Sequence, residues 1–133
     1  MDSYSLDAMN SVPAGFKNTI FWNIAHVVVT QQLLMYNLCG LSMLTDDTLV
    51  ATYRKGTRPE APATETERDH VQELLFSTLE KARTDIANSA FQPLESYQTS
   101  TGFVINSLED AVAFNTFHEG VHLGYVLALK KAL

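Results

Sequence analysis

The sequence predicts one all-α domain, a bundle of long helices that spans residues 1–133. Three segments repeat apolar side chains at the three- and four-residue spacing of a helix seam. No segment alternates apolar and polar residues convincingly between turns, and residues 102–105 are the best candidate for a strand. The length of 133 residues and the hydrophobic share of 46% suit a single core.

The first long helix is predicted over residues 18–38 and ends near Gly40. Its seam residues are Trp22, His26, Val29, Leu33 and Tyr36. Residues 18–45 carry no formal charge, a run long enough to cross a bilayer. Several polar side chains in this run are expensive in hydrocarbon, so we expect a buried central helix without membrane contact.

The two remaining long helices follow connecting segments. Residues 41–63 contain glycine, prolines and basic side chains, which predicts an exposed connection with one short helix. Thr64 and Glu67 have the spacing of a capping box that begins the second long helix. Its stripe consists of Val71, Leu74, Leu75, Thr78, Leu79, Ala82 and Ile86.

Residues 88–105 have loop chemistry, and Asn106 with Glu109 forms a candidate cap for the last helix. The seam of that helix consists of Leu108, Ala111, Asn115, His118, His122, Tyr125 and Leu129. Lys130 and Lys131 stand where a helix C-terminus favours positive charge. We expect Trp22, Tyr36 and Tyr125 to be core residues, with the alternative that they line a cavity beside the histidines of the same seams.

Charge and cysteine content limit the partners and the compartment. The net charge of -6, with nine scattered basic residues, lacks the footprint of a protein that binds nucleic acid. A single cysteine, Cys39, excludes an intramolecular disulfide, and the first fifteen residues show no leader pattern. We therefore expect a cytoplasmic protein, in which Cys39 as a redox or nucleophilic thiol is a minor alternative.

Three of the four histidines fall on predicted core seams. His118 and His122 are four residues apart, so they differ by about 40° around a helix and about 6 Å along it and can converge on one metal ion. His26, on the facing helix, is predicted to complete a three-histidine site for zinc or nickel with positions open for water or substrate. The alternative is that each histidine only packs in the core, and His70, on a polar face, is expected to be solvated.

The segment from His118 to His122 reads His-Glu-Gly-Val-His, which matches the motif of zinc peptidases. Those enzymes take a third ligand from downstream, but residues 123–133 contain no His, Asp or Glu. We therefore reject the peptidase interpretation. Glu119 is a candidate catalytic group that moves protons at a metal-bound water. The equally weighted alternative is that Glu119 simply faces solvent.

Three segments of this chain resemble the DinB-like, or YfiT-like, superfamily of metalloenzymes. They are Asn18-Thr-Ile-Phe-Trp-Asn-Ile-Ala-His26, Tyr53-Arg-Lys-Gly-Thr57 and His118-Glu-Gly-Val-His122-Leu-Gly124. The resemblance covers most of the chain and implies a DinB/YfiT-like four-helix bundle with a cavity and frequent dimerisation. It also implies a site for a divalent ion with His26, His118 and His122 as ligands.

The chain departs from the family pattern in two places. Family members usually have a glutamine where Tyr125 stands here, and their bundle begins with a long helix, whereas only twelve residues precede Pro13. The first helix is therefore expected to be short or truncated. We expect the exposed groove to be filled by the N-terminal segment or by a second subunit, which favours a homodimer.

The resemblance implies that the ion activates a low-molecular-weight thiol such as bacillithiol or mycothiol in an S-transferase reaction on a small molecule. Arg54, Lys55 or Arg58 from the connecting segment then meets the acidic groups of the thiol. One alternative is a hydrolase that uses metal-bound water, with Glu119 moving protons. The other is a metal-binding or ligand-binding bundle without catalysis.

Overall fold

A computed structural model of the protein describes residues 4–91 and 95–133. Within these residues the chain forms five α-helices, one 3₁₀ turn and two short strands. The elements are α1 (Leu6–Asn10), α2 (Ile20–Met35), the 3₁₀ turn (Asn37–Cys39), α3 (Asp47–Tyr53), α4 (Glu65–Ala87), β1 (Tyr97–Gln98), β2 (Val104–Ile105) and α5 (Leu108–Ala132). The three predicted long helices are α2, α4 and α5, and the short helix expected in the connection is α3.

Helix α2 begins and ends through local chemistry close to the predicted bounds. The Thr19 hydroxyl accepts a hydrogen bond from the Trp22 backbone N–H at 2.9 Å, which satisfies one of the N–H groups left over at a helix start. After α2 the chain passes through the 3₁₀ turn and reaches Gly40 at φ 67°, a left-handed conformation that suits glycine. The prediction that this helix ends near Gly40 is confirmed.

The capping box predicted for α4 is present. The Glu67 N–H donates to the Thr64 hydroxyl at 3.2 Å, and the Thr64 N–H donates to the Glu67 carboxylate at 2.9 Å. Lys130 and Lys131 lie in the last turn of α5, as predicted. The predicted start of α5 is one residue too early, because Ser107 is the N-cap and its hydroxyl accepts from the Asp110 N–H at 3.1 Å.

A small hairpin interrupts the predicted loop, so the all-α prediction needs a correction. β1 and β2 pair antiparallel, with Tyr97 opposite Ile105 and Gln98 opposite Val104. The candidate strand at residues 102–105 thus supplies β2. The chain reverses at Gly102, whose φ of +86° favours glycine, and the loop residues 92–94 lie outside the described residues.

Helix α2 is the central element of the fold. It packs against α1, α3, α4 and α5, and most of its side chains are buried. The main core cluster gathers around it and contains Met9, Ile20, Phe21, Trp22, Ala25, Val28, Val29, Leu49, Tyr53, Ala63, Val71, Leu74 and Leu129. Among the described residues the bundle therefore has three long helices and a short first helix, α1, and the four-helix bundle implied by the resemblance stays a prediction.

Burial confirms part of the predicted core and corrects the rest. Trp22 and Tyr36 are buried, as expected, at 4% and 1% exposure. Leu79, Ile86 and Tyr125 were predicted as core but are 52%, 44% and 53% exposed. The apolar stripes of α4 and α5 are thus wider than the surfaces that each helix packs against α2. No helix in the described residues has the length and apolar character needed to cross a membrane.

Candidate metal centre

The structure brings His26, His118 and His122 together between α2 and α5. One nitrogen from each ring lies within 4.8 Å of the others. The centroids of the rings are 5.1 Å apart for His26 and His118, 4.7 Å for His26 and His122, and 4.5 Å for His118 and His122. Two nitrogens bound to one zinc ion at about 2.0–2.1 Å are at most about 4 Å apart, so the cluster is close to ligating geometry.

Contacts with Tyr53, Thr30 and Trp22 fix the ring of His26. Its Nδ1 lies 2.6 Å from the Tyr53 carbonyl oxygen, which only accepts, so Nδ1 carries the hydrogen and Nε2 carries the lone pair. The Thr30 hydroxyl donates to that Nε2 at 3.3 Å. The indole of Trp22 stacks on the imidazole with a centroid distance of 4.6 Å and an interplanar angle of 12°. His26 therefore presents Nε2 to its neighbours.

Asn23 fixes the ring of His122. The Asn23 amide nitrogen donates to the Thr19 carbonyl at 2.8 Å, which orients the amide so that its oxygen faces His122. The His122 Nδ1 donates to that oxygen at 2.8 Å. His122 is therefore also held as the tautomer whose Nε2 is free to bind a metal ion.

The surroundings of His118 indicate whether these residues suit a metal ion. Its Nδ1 is buried and has no hydrogen-bond partner in the described part of the chain. A buried polar atom left unpaired costs about 1–3 kcal/mol, and a ligand that binds the ring would recover that cost. Three imidazoles, two of them with fixed tautomers, form the donor set that zinc and other late first-row ions prefer.

Burial keeps the imidazoles neutral. It lowers the pKa of His118 to about 4, with further lowering from the neighbouring His122 and His26. The pKa of His122 is also lowered to about 4 by burial and by His26. Burial lowers the pKa of His26 as well, against a smaller raising effect of its bond to Tyr53. Since a metal ion binds the neutral imidazole, protons compete little at neutral pH.

A cavity of about 1060 Å³ opens beside the three histidines, large enough for a drug-sized organic molecule. Its described lining consists of eleven aromatic or aliphatic residues, nine polar or basic residues, the three histidines and two glycines. The residues are Gly15, Phe16, Lys17, Asn18, Trp22, Asn23, His26, Thr30, Leu33, Leu34, Asn37, Leu38, Lys55, Gly56, Tyr97, Thr99, Ser100, Thr101, Phe114, Phe117, His118, Val121, His122, Tyr125 and Leu129. Tyr125, which is not in the core, lies at this cavity.

Glu119 lies in α5 next to His118 in sequence and is half-buried. Its carboxylate accepts a hydrogen bond from the Asn115 side chain at 2.7 Å, and Glu119 is not among the described lining residues of the cavity. Its catalytic role stays a prediction. His70 is exposed, as expected, and Cys39 is partly buried in the 3₁₀ turn.

The structure separates the three basic residues of the connecting segment. Lys55 lines the cavity beside the histidines. Arg58 lines a different and smaller recess. Arg54 lies at the C-terminal end of α3 and is not among the described residues of either. Of the three, Lys55 is thus the one placed to meet a ligand of the cavity.

Sequence reasoning missed Asn23 and Lys17. Asn23 is 2% exposed and holds a histidine ring, and a polar residue on a buried helix was a signal comparable to that of the histidines. Lys17 lines the cavity, but nothing in its local sequence distinguishes it from an ordinary surface lysine.

A comparison with family models confirms the resemblance. The model of the DinB superfamily matches residues 1–126. No curated protein matches the chain. Because the match covers nearly the whole chain and the three histidines meet as that resemblance implies, this protein belongs to the DinB superfamily.

Proposed function

We propose that this protein is a metal-dependent enzyme that transfers a low-molecular-weight thiol to a small electrophilic substrate, with His26, His118 and His122 as the metal ligands. The observation that carries the proposal is the convergence of three imidazoles from two helices at the wall of a 1060 Å³ cavity. Membership of the DinB superfamily supports it. A thiol-dependent reaction also suits the reducing cytoplasm expected from the single cysteine.

In the proposed reaction the thiol sulfur forms a bond to an electrophilic carbon. The bond from that carbon to its leaving group breaks, the leaving group departs with the electron pair, and the thiol proton passes to solvent. A divalent zinc or nickel ion in the site would lower the pKa of the thiol so that it reacts as the thiolate. The contacts of Tyr53 and Asn23 orient the ligand rings.

The first test is metal content. Wild-type protein, His26→Ala, His122→Ala and the matched control His70→Ala are loaded with zinc or nickel, dialysed and analysed for bound metal. We expect about one ion per chain in the wild type and in His70→Ala, because His70 is exposed on α4 and lies away from the cluster. Loss of one histidine ligand should abolish retention of the metal ion. Equal metal in all four proteins contradicts the proposed site.

The second test separates the possible reactions. Metal-loaded protein is given an alkyl halide or an epoxide with bacillithiol, with mycothiol or with no thiol, and a panel of esters and amides without thiol. We expect product only when a thiol is present. Turnover of an ester without thiol would replace the proposal by hydrolysis with metal-bound water, for which Glu119→Gln is the diagnostic variant. A metal-loaded protein silent in every assay is a binding protein.

We also propose that two copies of the chain pair through α5. Between Asp110 and Lys130 this helix has one charged residue, Glu119, and outside the cavity lining it exposes Leu123 and Leu127 at 60% and 50%. Gly120 and Gly124, one turn apart, have open space where a Cβ would stand, so another helix can approach closely. Light scattering should give twice the chain mass, and a monodisperse monomer contradicts the proposal.

A further inference from the structure

The charge of the cavity differs from that of the whole chain. The chain carries fifteen acidic residues against nine basic ones. The described residues that line the cavity nevertheless include Lys17 and Lys55 and neither aspartate nor glutamate. A concave surface with one sign of charge attracts ions of the opposite sign. The cavity is thus suited to an anionic ligand.

Lys55 lies on a loop that is attached to the metal centre. The turn that holds it is closed by the Thr57 N–H, which donates to the Arg54 carbonyl at 3.2 Å, and Gly56 takes a φ of +91° within that turn. The Trp22 indole donates to the Thr57 hydroxyl at 3.2 Å. Because Trp22 also stacks on an imidazole of the site, the position of this loop is tied to that of the ligands.

Lys17 approaches from the loop before α2. That loop also turns tightly, since Gly15 has a φ of +86° and the Phe16 N–H donates to the Pro13 carbonyl at 3.1 Å. Among the described residues, neither Lys17 nor Lys55 forms an ion pair with a carboxylate. Both ammonium groups are therefore available to a ligand from outside the chain.

The walls that α2 and α5 contribute are largely apolar, whereas Thr99, Ser100 and Thr101 add polar groups. Phe114, Phe117 and Val121 of α5 and Leu33 and Leu34 of α2 line these walls. Such walls favour the hydrocarbon part of a ligand, at about 25 cal/mol for each Å² removed from water. The cavity thus combines a cationic edge, an apolar body and three imidazoles.

We propose that the cavity binds an organic anion whose apolar body lies against the walls from α2 and α5 and whose carboxylate or phosphate group meets Lys17 and Lys55. This inference rests on the proposed function and deepens it, because it names the chemical class of the substrate that reacts at the three histidines.

Intrinsic fluorescence tests the inference without any turnover. Trp22 is the only tryptophan of the chain and lines the cavity, so its emission reports occupancy. The probes are octanoate, octyl phosphate and neutral octanamide, titrated into metal-free protein in EDTA at pH 8. Under these conditions neither a metal ion nor a protonated imidazole attracts the anion. We expect at least one anion to bind more tightly than octanamide, and the tighter anion identifies the acidic group.

Charge variants locate the effect. Lys17→Gln with Lys55→Gln should weaken binding of that anion about tenfold, the sum of two partly exposed ion pairs, and leave octanamide unchanged. Lys131→Gln removes one positive charge outside the cavity and should change neither affinity. All three lysines are exposed, so the variants should fold like the wild type, which circular dichroism checks.

Two results overturn the inference: octanamide that binds wild-type protein at least as tightly as both anions, or a loss in Lys131→Gln equal to that in the double variant. Metal analysis of the same samples keeps the two proposals apart. Anion selectivity without metal binding retains the anion site and rejects the metal-dependent reaction. Metal binding without anion selectivity retains the metal site and rejects the anion site.

Discussion

Helices α2 and α5 are similarly poor in charge but differ in how the fold covers them. Residues 20–35 of α2 include no charged residue, and four other helices pack around it. α5 is nearly as apolar between Asp110 and Lys130, yet only four of its residues, Ala111, Phe114, Asn115 and Leu129, are buried. A helix that is apolar on all sides is normally buried on all sides.

The difference shows that other helices of the chain surround α2, whereas much of the surface of α5 is left exposed. α2 contributes His26, the Thr30 hydroxyl that bonds to it, and Asn23, which bonds to His122. α5 contributes His118, His122 and part of the cavity wall. The candidate metal centre thus joins a helix that four others surround to a helix that is largely exposed.

The largest expected effect comes from a comparison of the same leucine-to-alanine substitution in α2 and in α5. Leu34→Ala, in α2 at 6% exposure, should lower the free energy of unfolding by about 2–5 kcal/mol, because it leaves a cavity beside Ile105 and Phe114. Leu123→Ala, in α5 at 60% exposure, should change it by no more than about 0.5 kcal/mol. Urea unfolding at a protein concentration low enough to keep the chain monomeric compares them, and equal losses would show that α5 is as fully packed as α2.

A smaller effect is expected where α2 holds a ligand of α5. Asn23→Ala removes the acceptor of the His122 Nδ1 hydrogen and should weaken zinc affinity about 10–100-fold. Asn23→Asp keeps an acceptor for His122 but loses the amide donor to the Thr19 carbonyl, so it should recover only part of the affinity. Competition with a chromogenic chelator measures both.

Asn115→Ala is the matched control for Asn23, because Asn115 is a similarly buried asparagine that bonds to Glu119. Its zinc affinity should stay within about threefold of the wild type, a change of less than 1 kcal/mol. A loss as large as that of Asn23→Ala would show that removal of any buried asparagine side chain weakens zinc binding. Asn23 would then have no specific role in orienting His122.

The last prediction concerns pH. His118 and His122 have a pKa of about 4 in the folded chain against an ordinary value of 6.5. Between these values the unfolded chain binds more protons, so the free energy of unfolding of the metal-free protein should fall as the pH falls from 6.5 toward 4. The double variant His118→Gln, His122→Gln should show a flatter profile in urea titrations, and an unchanged slope would remove the histidines as the cause.

The local features of the fold were predictable because they depend on neighbours in sequence. Thr64 and Glu67 form their capping box within one helical turn, and Gly40 ends the α2 region through its own backbone conformation. The prediction failed where several caps were chemically equivalent, as with Asn106 and Ser107. It also failed at Leu79 and Tyr125, because helical spacing gives the apolar face of a helix but not the width of the surface that packs against it.

The sequence by itself determined the helices, the i and i+4 pair of His118 and His122, and membership of the DinB superfamily, since each depends on residue types at fixed spacings. Only the tertiary structure decided which groups fix the ligand rings and which lysines reach the cavity. Asn23 and His122 are 99 residues apart along the chain, and Lys17 and Lys55 come from separate loops. Asn23 and His122 meet only when α2 and α5 pack, and the two lysines line one cavity only when the fold brings their loops to it, so local residue patterns encode neither arrangement.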